Sequence, residues 1–405
     1  MAHGILILIY DGLGDRPVEE LDGRTSLEAA DTPNLDTLAS RGINGIMDTI
    51  APGIVPGSDT GHLALLGYDP YEVYTGRGPF EVAGLGIDVE PGHVAFRCNF
   101  STIVHGKITD RRAGRIKEGT EELSEALNDI DIGIDFVFEP SVEHRCVLIF
   151  KEKDLGSGVS DVDPHADSVP YKKAEPTSDR SEDARTAELL NEFVAKSIEV
   201  LSEHPVNQQR VKDGKPPANI ILPRGAGSVP SVRSLPERTG MKCAAIAGIP
   251  LVRGVCVMAG MDIIDVQGAT GGLDTDIEAI YESSRAALNE YDLVLVNIKG
   301  PDLPGHDGLP QQKIEFIQKL DAYLDILDLP DAHIAITGDH STPVTVKDHS
   351  GDPLPLTIIG PGVRTDDVTE YSERSCAKGG LSRIRGQDLL NILMDLSGKA
   401  EKFGA

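Results

Sequence analysis

Three short apolar runs, each stopped by glycine and an acid, constrain the fold of this chain more than any other feature. Residues 5–10 (ILILIY) lead into Asp11-Gly12, residues 292–298 (DLVLVNI) into Lys299-Gly300-Pro301-Asp302, and residues 333–337 (HIAIT) into Gly338-Asp339-His340. Runs so short and so rich in Ile, Leu and Val read as strands buried on both faces, which belong in a parallel sheet covered by helices. Between the second and third, residues 311–328 place Ile314, Ile317, Leu320, Leu324 and Leu327 on one helical stripe. That predicts a strand–helix–strand unit with a right-handed crossover. Residues 355–359 (PLTII) predict a further strand and 386–396 a closing helix. Ligands of open α/β sheets gather outside the carboxyl ends of strands, so Asp11, Asp302 and Asp339 should converge.

The middle of the chain follows other rules. From about 93 to 235 the apolar runs are shorter (HVAFRCNF, SVEHRCVLIF, NIILP) and alternate with polar, Gly- and Pro-rich stretches. A helix is expected over 181–203, with Ser181 as its N-cap and Glu182 and Asp183 in the first turn. The expected organisation is a discontinuous α/β core, 1–92 plus 236–405, interrupted by an α+β cap domain, 93–235.

Charge narrows the function classes. The net charge is -27, from 65 acidic residues against 38 Lys and Arg. Such a chain repels nucleic acid and anionic membranes, so the expected partner is a small molecule. An anionic substrate would need cations or a local Arg cluster to overcome the repulsion. The five cysteines are scattered without a CxxC pair, and the apolar run near the start is too short to span a membrane. These features point to a reducing cytoplasm; they leave the oligomeric state open.

The acids have company. Asp302 and His306 stand four positions apart in a Gly/Pro turn, Asp339 and His340 are adjacent after a strand, and His349 follows in a turn-rich loop. Singly, each has a bland reading as a turn residue, a helix cap or a solvated histidine. Together Asp11, Asp302, His306, Asp339, His340 and His349 supply carboxylates and imidazoles enough for two divalent cations about 4 Å apart, the arrangement that clamps an in-line phosphoryl displacement. Mn²⁺ is the first choice for such a donor set, with Co²⁺, Zn²⁺ or Mg²⁺ as alternatives. Ser58, in PGSDTGH before an apolar helical start, is the candidate nucleophile. There, backbone N–H groups favour an anion, and metal coordination would activate the hydroxyl. The alternative is that Ser58 or Thr60 merely caps that helix.

Several motifs in order now resemble one family. DGLGD at 11–15, GSDTGHLALLGYDP at 57–70, NIKGPDLPGHDG at 297–308, TGDHSTP at 337–343 and KDHSGDP at 347–353 are similar to those of the cofactor-independent phosphoglycerate mutases, in the archaeal-type branch of the alkaline phosphatase superfamily. The bacterial branch carries Asn-Ser-Glu-Val at its nucleophile, where this chain has Gly57-Ser58-Asp59-Thr60. The resemblance implies an alkaline-phosphatase-like, mostly parallel sheet sandwiched by helices, with an inserted cap. It implies one metal on Asp302, His306 and His349, and a second on Asp11, Ser58, Asp339 and His340. It also implies a phosphoserine intermediate with no 2,3-bisphosphoglycerate, and a phosphate-facing role for Lys299. Substrate-binding residues are expected at Arg111 and Arg115, then Arg224, with His62 at the phosphate and His165 in the cap. The rival readings are a phosphohydrolase or phosphotransferase of the same superfamily, and a non-catalytic metal- or phosphate-binding protein.

Overall fold

The computed structural model describes residues 4–402 and 404, and divides into two compact units: Met1–Val73 with Val232–Ala405, and Tyr74–Ser231. In the first unit, eight strands form one sheet in the order Asp262–Ile263, Cys243–Ala247, Leu293–Ile298, Ile5–Tyr10, His333–Thr337, Leu354–Ile359, Ile43–Asp48, Ser382–Arg385. The first five are mutually parallel, as continuous apolar runs require. The Leu354–Ile359 strand runs antiparallel to both its neighbours, so the sheet is mixed toward that edge.

The central strand shows why this core is stable. Every residue from Ile5 to Tyr10 is inaccessible to solvent, and each large aliphatic side chain buried in this way contributes about 1.5–3 kcal/mol. Register then sets the site. Ile9 pairs with Asn297 on one side and Thr337 on the other, so three strands end level and release Asp11, Lys299 and Gly338 at one edge. The helix between the second and third runs spans Pro310–Ala322 and continues as a 3-10 turn, Leu324–Leu327. All five residues of the expected stripe are buried. The closing helix is Gly386–Leu396.

The second unit is α+β. Its antiparallel sheet centres on the long strand Val94–Val104, flanked by Arg145–Phe150 and Arg224–Ser228. It begins at Tyr74 rather than near residue 93, because the helix Gly78–Gly84 packs Val82 against Ala95, Val147 and Ile149 of that sheet. The helix Ser181–Glu203 forms as expected, but Ser181 is not its cap: the N-cap is Arg180, without a side-chain hydrogen bond. Asp183 instead accepts hydrogen bonds from the Ser178 hydroxyl and from Gly158 N, which secure the preceding loop to the first turn. Among the described residues no helix is long and apolar enough to cross a membrane, and all five cysteines are buried free thiols.

Candidate active site

Asp11 leaves the central strand into a tight turn. Gly12 has φ +67, and a Cβ there would lie 2.7 Å from the Asp302 backbone, so only glycine lets the two acids approach. Asp302 opens a short helix, Asp302–Asp307, whose i,i+4 geometry brings His306 Nε2 to 3.4 Å from Asp302 Oδ2. From the third strand end, His340 Nε2 lies 3.3 Å from Asp11 Oδ1 and 3.5 Å from Asp339 Oδ2. His349 Nε2 lies 3.7 Å from Asp302 Oδ1, and its ring stacks on His340 with centroids 3.6 Å apart. Two compact donor groups result, Asp11–Asp339–His340 and Asp302–His340–His349, and His340 belongs to both. His306 stands beside the second group, its side chain 38% exposed.

Hydrogen bonds assign the ring tautomers. His306 Nδ1 faces the Lys347 carbonyl at 3.2 Å and His349 Nδ1 the Pro56 carbonyl at 2.8 Å. A carbonyl only accepts, so both Nδ1 atoms carry a proton, which leaves each Nε2 turned toward Asp302. The Thr342 hydroxyl donates to Asp302 Oδ1 at 2.6 Å, so His340 Nδ1, 3.0 Å from Thr342 Oγ1, donates to that hydroxyl oxygen. His340 Nε2 then faces Asp11 and Asp339. Backbone and hydroxyl partners that fix imidazoles in this way are typical around metal-ligating histidines.

The charges do not balance internally. Burial alone would raise the Asp11 carboxyl; the Lys299 ammonium and the His340 ring outweigh it and hold Asp11 well below the carboxylate range. Asp302 is likewise pulled down against burial by His306 and Lys299. Asp339 goes the other way, raised by burial and by repulsion from Asp11. Its Oδ2 is fully buried and accepts no hydrogen bond, an arrangement that costs several kcal/mol unless a cation answers it. The donor set therefore fits two divalent ions held by carboxylates and imidazoles.

Ser58 is the first residue of the helix Ser58–Leu65. Its Oγ lies 3.2 Å from His340 Nε2 and 3.5 Å from Lys299 Nζ. It does not cap the helix; Thr60 Oγ1 takes that task, accepting from Gly57 N at 3.0 Å. The helix comes this close because Gly61 has no side chain: a Cβ there would meet the Asp339 carbonyl at 2.8 Å. Lys299 bridges Asp11 and Asp302 at 2.8 and 2.7 Å, and these two acids with Asp339 raise its basicity despite burial.

His62, expected at the phosphate, is fully buried, with Nδ1 2.7 Å from the Ser58 carbonyl and 3.5 Å from Asp339 Oδ2, and Nε2 3.2 Å from Asn297 Nδ2. Asn297, which also donates to Asp11 Oδ2 at 3.0 Å, was not anticipated, nor was Thr342. The asparagine interrupts an otherwise apolar strand, which is a readable signal; the threonine gives none.

The second unit holds a cavity of about 220 Å³ lined by Arg97, Arg111, Arg112, Arg115, Arg145 and Arg224, with Asn99, Glu143 and His144. Asp163, itself inaccessible, grips Arg111 through both carboxylate oxygens at 2.8 and 2.7 Å and stands 3.5 Å from Arg224. Arg97 is pushed down to about 10 by burial among Arg77, Arg224 and Arg145, with Glu81 opposing. Two buried nitrogens of the lining, Arg224 Nε and His144 Nδ1, lack hydrogen-bond partners. Arg111, Arg115 and Arg224 thus come together as expected. His165 does not line the cavity; it is half-exposed, bonded to Asp161 at 2.9 Å, and touches Arg111 only at 3.5 Å.

The family model for 2,3-bisphosphoglycerate-independent phosphoglycerate mutase matches residues 39–207. The 2,3-bisphosphoglycerate-independent phosphoglycerate mutase 1 of Methanothermobacter thermautotrophicus is 53% identical, covering 99% of each chain. A solved Pyrococcus horikoshii protein aligns with TM-score 0.87 at 41% identity over the whole of both chains. The cofactor-independent phosphoglycerate mutase of Thermoplasma acidophilum aligns with TM-score 0.76 at 40% identity, covering 98% of this chain and 100% of its own. With full-length identity at this level, the chain belongs to the 2,3-bisphosphoglycerate-independent phosphoglycerate mutases, a family of isomerases.

Proposed function

We propose that this chain interconverts 3-phosphoglycerate and 2-phosphoglycerate, the step shared by glycolysis and gluconeogenesis, by carrying the phosphoryl group on Ser58. The observation that carries the reading is the position of the Ser58 hydroxyl at a helix N-terminus, 3.2 Å from His340 and 3.5 Å from Lys299, beside the buried acids. We assign Asp11, Asp339, His340 and Ser58 to one divalent cation and Asp302, His306 and His349 to the other, Mn²⁺ being the first choice. Such a pair of cations supplies an acidified hydroxyl and a screen for phosphoryl charge. Ser58 Oγ forms the bond to phosphorus as the bond to the 3-oxygen breaks, leaving phosphoserine and glycerate. Transfer from phosphoserine to the 2-oxygen completes the isomerisation, so no 2,3-bisphosphoglycerate is required. The Lys299 ammonium offsets charge on the equatorial oxygens, and the first-turn N–H groups of the Ser58–Leu65 helix add to it.

The basic cavity of the second unit is assigned to the substrate's anionic oxygens, where arginine forks grip carboxylate or phosphate in pairs. Arg111 and Arg115 are the first contacts and Arg224 the next. The scattered, buried thiols suit a reducing cytoplasm.

Supplying 3-phosphoglycerate and Mn²⁺, with enolase-coupled detection beside free-phosphate release, tests the reading. Formation of 2-phosphoglycerate without matching phosphate is expected. Phosphate as the main product would make the chain a phosphohydrolase. No turnover with Mn²⁺, Co²⁺, Zn²⁺ or Mg²⁺ would leave a binding protein.

A further inference from the structure

The helix Pro310–Ala322 carries a lysine on its buried stripe. Lys313 shares that stripe with Ile317 and Leu320 and is completely inaccessible to solvent. An ammonium has three N–H groups, and all three are taken by backbone carbonyls: Gly12 at 2.9 Å, Gly14 at 3.0 Å and Thr342 at 2.9 Å. The nearest carboxylate, Asp15 Oδ2, stands back at 3.9 Å and is engaged by the Ser26 hydroxyl. A buried lysine that spends every donor on carbonyls, and meets Asp15 only at the long ion-pair distance of 3.9 Å, needs an explanation beyond charge pairing.

Those carbonyls identify it. Gly12 and Gly14 belong to the turn that delivers Asp11; Thr342 follows Asp339 by three residues and His340 by two. Thr342 also donates its N–H to Gly14 O at 3.1 Å and its hydroxyl to Asp302 Oδ1 at 2.6 Å. The Asp11 turn and the segment bearing Asp339 and His340 therefore meet at one ammonium, and Thr342 ties that segment to Asp302. Bringing three carboxylates this close pushes their loops apart, and Lys313 pulls the same loops together from the protein side.

We propose that Lys313 is a positioning residue that sets the spacing of the two cation sites, holding the Asp11 turn and the His340–Thr342 segment at the separation two divalent ions require. This rests on the two-metal reading above. It assigns Lys313 no contact with substrate.

The test is Mn²⁺ binding by calorimetric titration of the full chain, with kcat and KM measured beside it, for K313M and K313Q. I317V serves as a control that loosens the same helix without touching the carbonyls. Wild type should take up two Mn²⁺ ions. K313M should bind both 10- to 100-fold more weakly and lose kcat while KM for 3-phosphoglycerate stays within about twofold. K313Q, which keeps two donors, should fall between. I317V should match wild type in Mn²⁺ affinity at a comparable loss of thermal midpoint. Unchanged Mn²⁺ affinity in K313M, an equal loss in I317V, or failure of both lysine variants to fold would each overturn the inference. A wild-type protein binding fewer than two ions would overturn the two-metal reading instead.

Discussion

The two units each gather a cluster of like charge, with opposite signs: the three acids are buried, whereas the arginines are partly or fully exposed. At the strand ends, Asp11, Asp302 and Asp339 share Lys299 and a few ring nitrogens. In the second unit, six arginines line a cavity with Glu143, backed by Asp163 and Glu81. Each cluster is left with buried atoms that have no hydrogen-bond partner: Asp339 Oδ2 in the first, Arg224 Nε and His144 Nδ1 in the second. Like charges crowded in a low-dielectric interior repel strongly, so the buried acids call for cations, while the arginines, open to water, repel one another less and offer an anion their free donors. Under the proposed function the difference is a division of labour: the core would collect cations and perform chemistry, while the insertion would collect an anion and hold it. On a chain of net charge -27 the arginine cavity also gives an anionic substrate a local field it can approach.

The sharpest way to break this division is Ser58→Ala. If chemistry resides in the core, kcat falls by about 10⁴-fold or more, while Mn²⁺ uptake largely survives on the remaining donors. The coupled mutase assay beside a Mn²⁺ titration reads both. A variant retaining even a few per cent of activity would remove Ser58 from the mechanism.

Asp339→Asn tests the surplus of acid. The substitution relieves repulsion with Asp11, so the metal-free protein should gain stability while most of the Mn²⁺-dependent stabilisation disappears. That stabilisation is about 3 kcal/mol when free metal is a hundred times the dissociation constant. Urea midpoints with chelator and with Mn²⁺ should move in opposite directions relative to wild type. Movement in the same direction would mean that Asp339 is a packing residue.

How far the two clusters were legible in the sequence differs for a physical reason. The core site was readable because a strand buried on both faces must be apolar, so ILILIY, LVLVN and HIAIT announce themselves and the acids that stop them stand out. What an apolar run lacks is direction, which is why the antiparallel course of Leu354–Ile359 was not apparent. The arginine cavity was half readable. Arg111, Arg112 and Arg115 are neighbours in sequence, but Arg97 and Arg145 arrive from two strands whose pairing aligns Asn99 with Arg145, and register between distant strands leaves no local trace. Lys313 had a signal that is easily passed over: a charged residue four positions before Ile317 on an otherwise apolar stripe.

Asp163→Asn probes the other side of the comparison. Arg111 holds the Asp163 carboxyl below its usual range against burial, and that charge in turn orients the guanidinium. With the charge removed, Arg111 is less well aimed, and kcat/KM should fall by about 10- to 100-fold, the cost of weakening a buried charged hydrogen bond. The loss should appear in KM, with Mn²⁺ affinity unchanged. An equal loss of metal affinity would show that the two clusters are not separate in function.

The smallest effect concerns a core acid that metals do not reach. Glu373 accepts hydrogen bonds from Thr25 Oγ1 at 2.8 Å and Asp15 N at 3.2 Å. Burial is the main cause pushing its carboxyl up to about 7 from an ordinary 4.5, with Asp15 adding to the rise and Lys313 opposing it. The folded protein therefore holds a proton that the unfolded chain releases between these values. The contribution favours folding fully below pH 4.5 and is lost as pH rises through 7. Because the residue is not wholly enclosed, the loss should be about 1–2 kcal/mol rather than the full value of the shift. Glu373→Gln keeps an acceptor for Thr25 and cannot titrate. Thermal midpoints across pH 5–8 should therefore decline less in the variant than in wild type, with the two curves separating as pH rises. Parallel curves would mean that Glu373 is already ionised in the fold, and that the core bears one more uncompensated acid than the comparison allows.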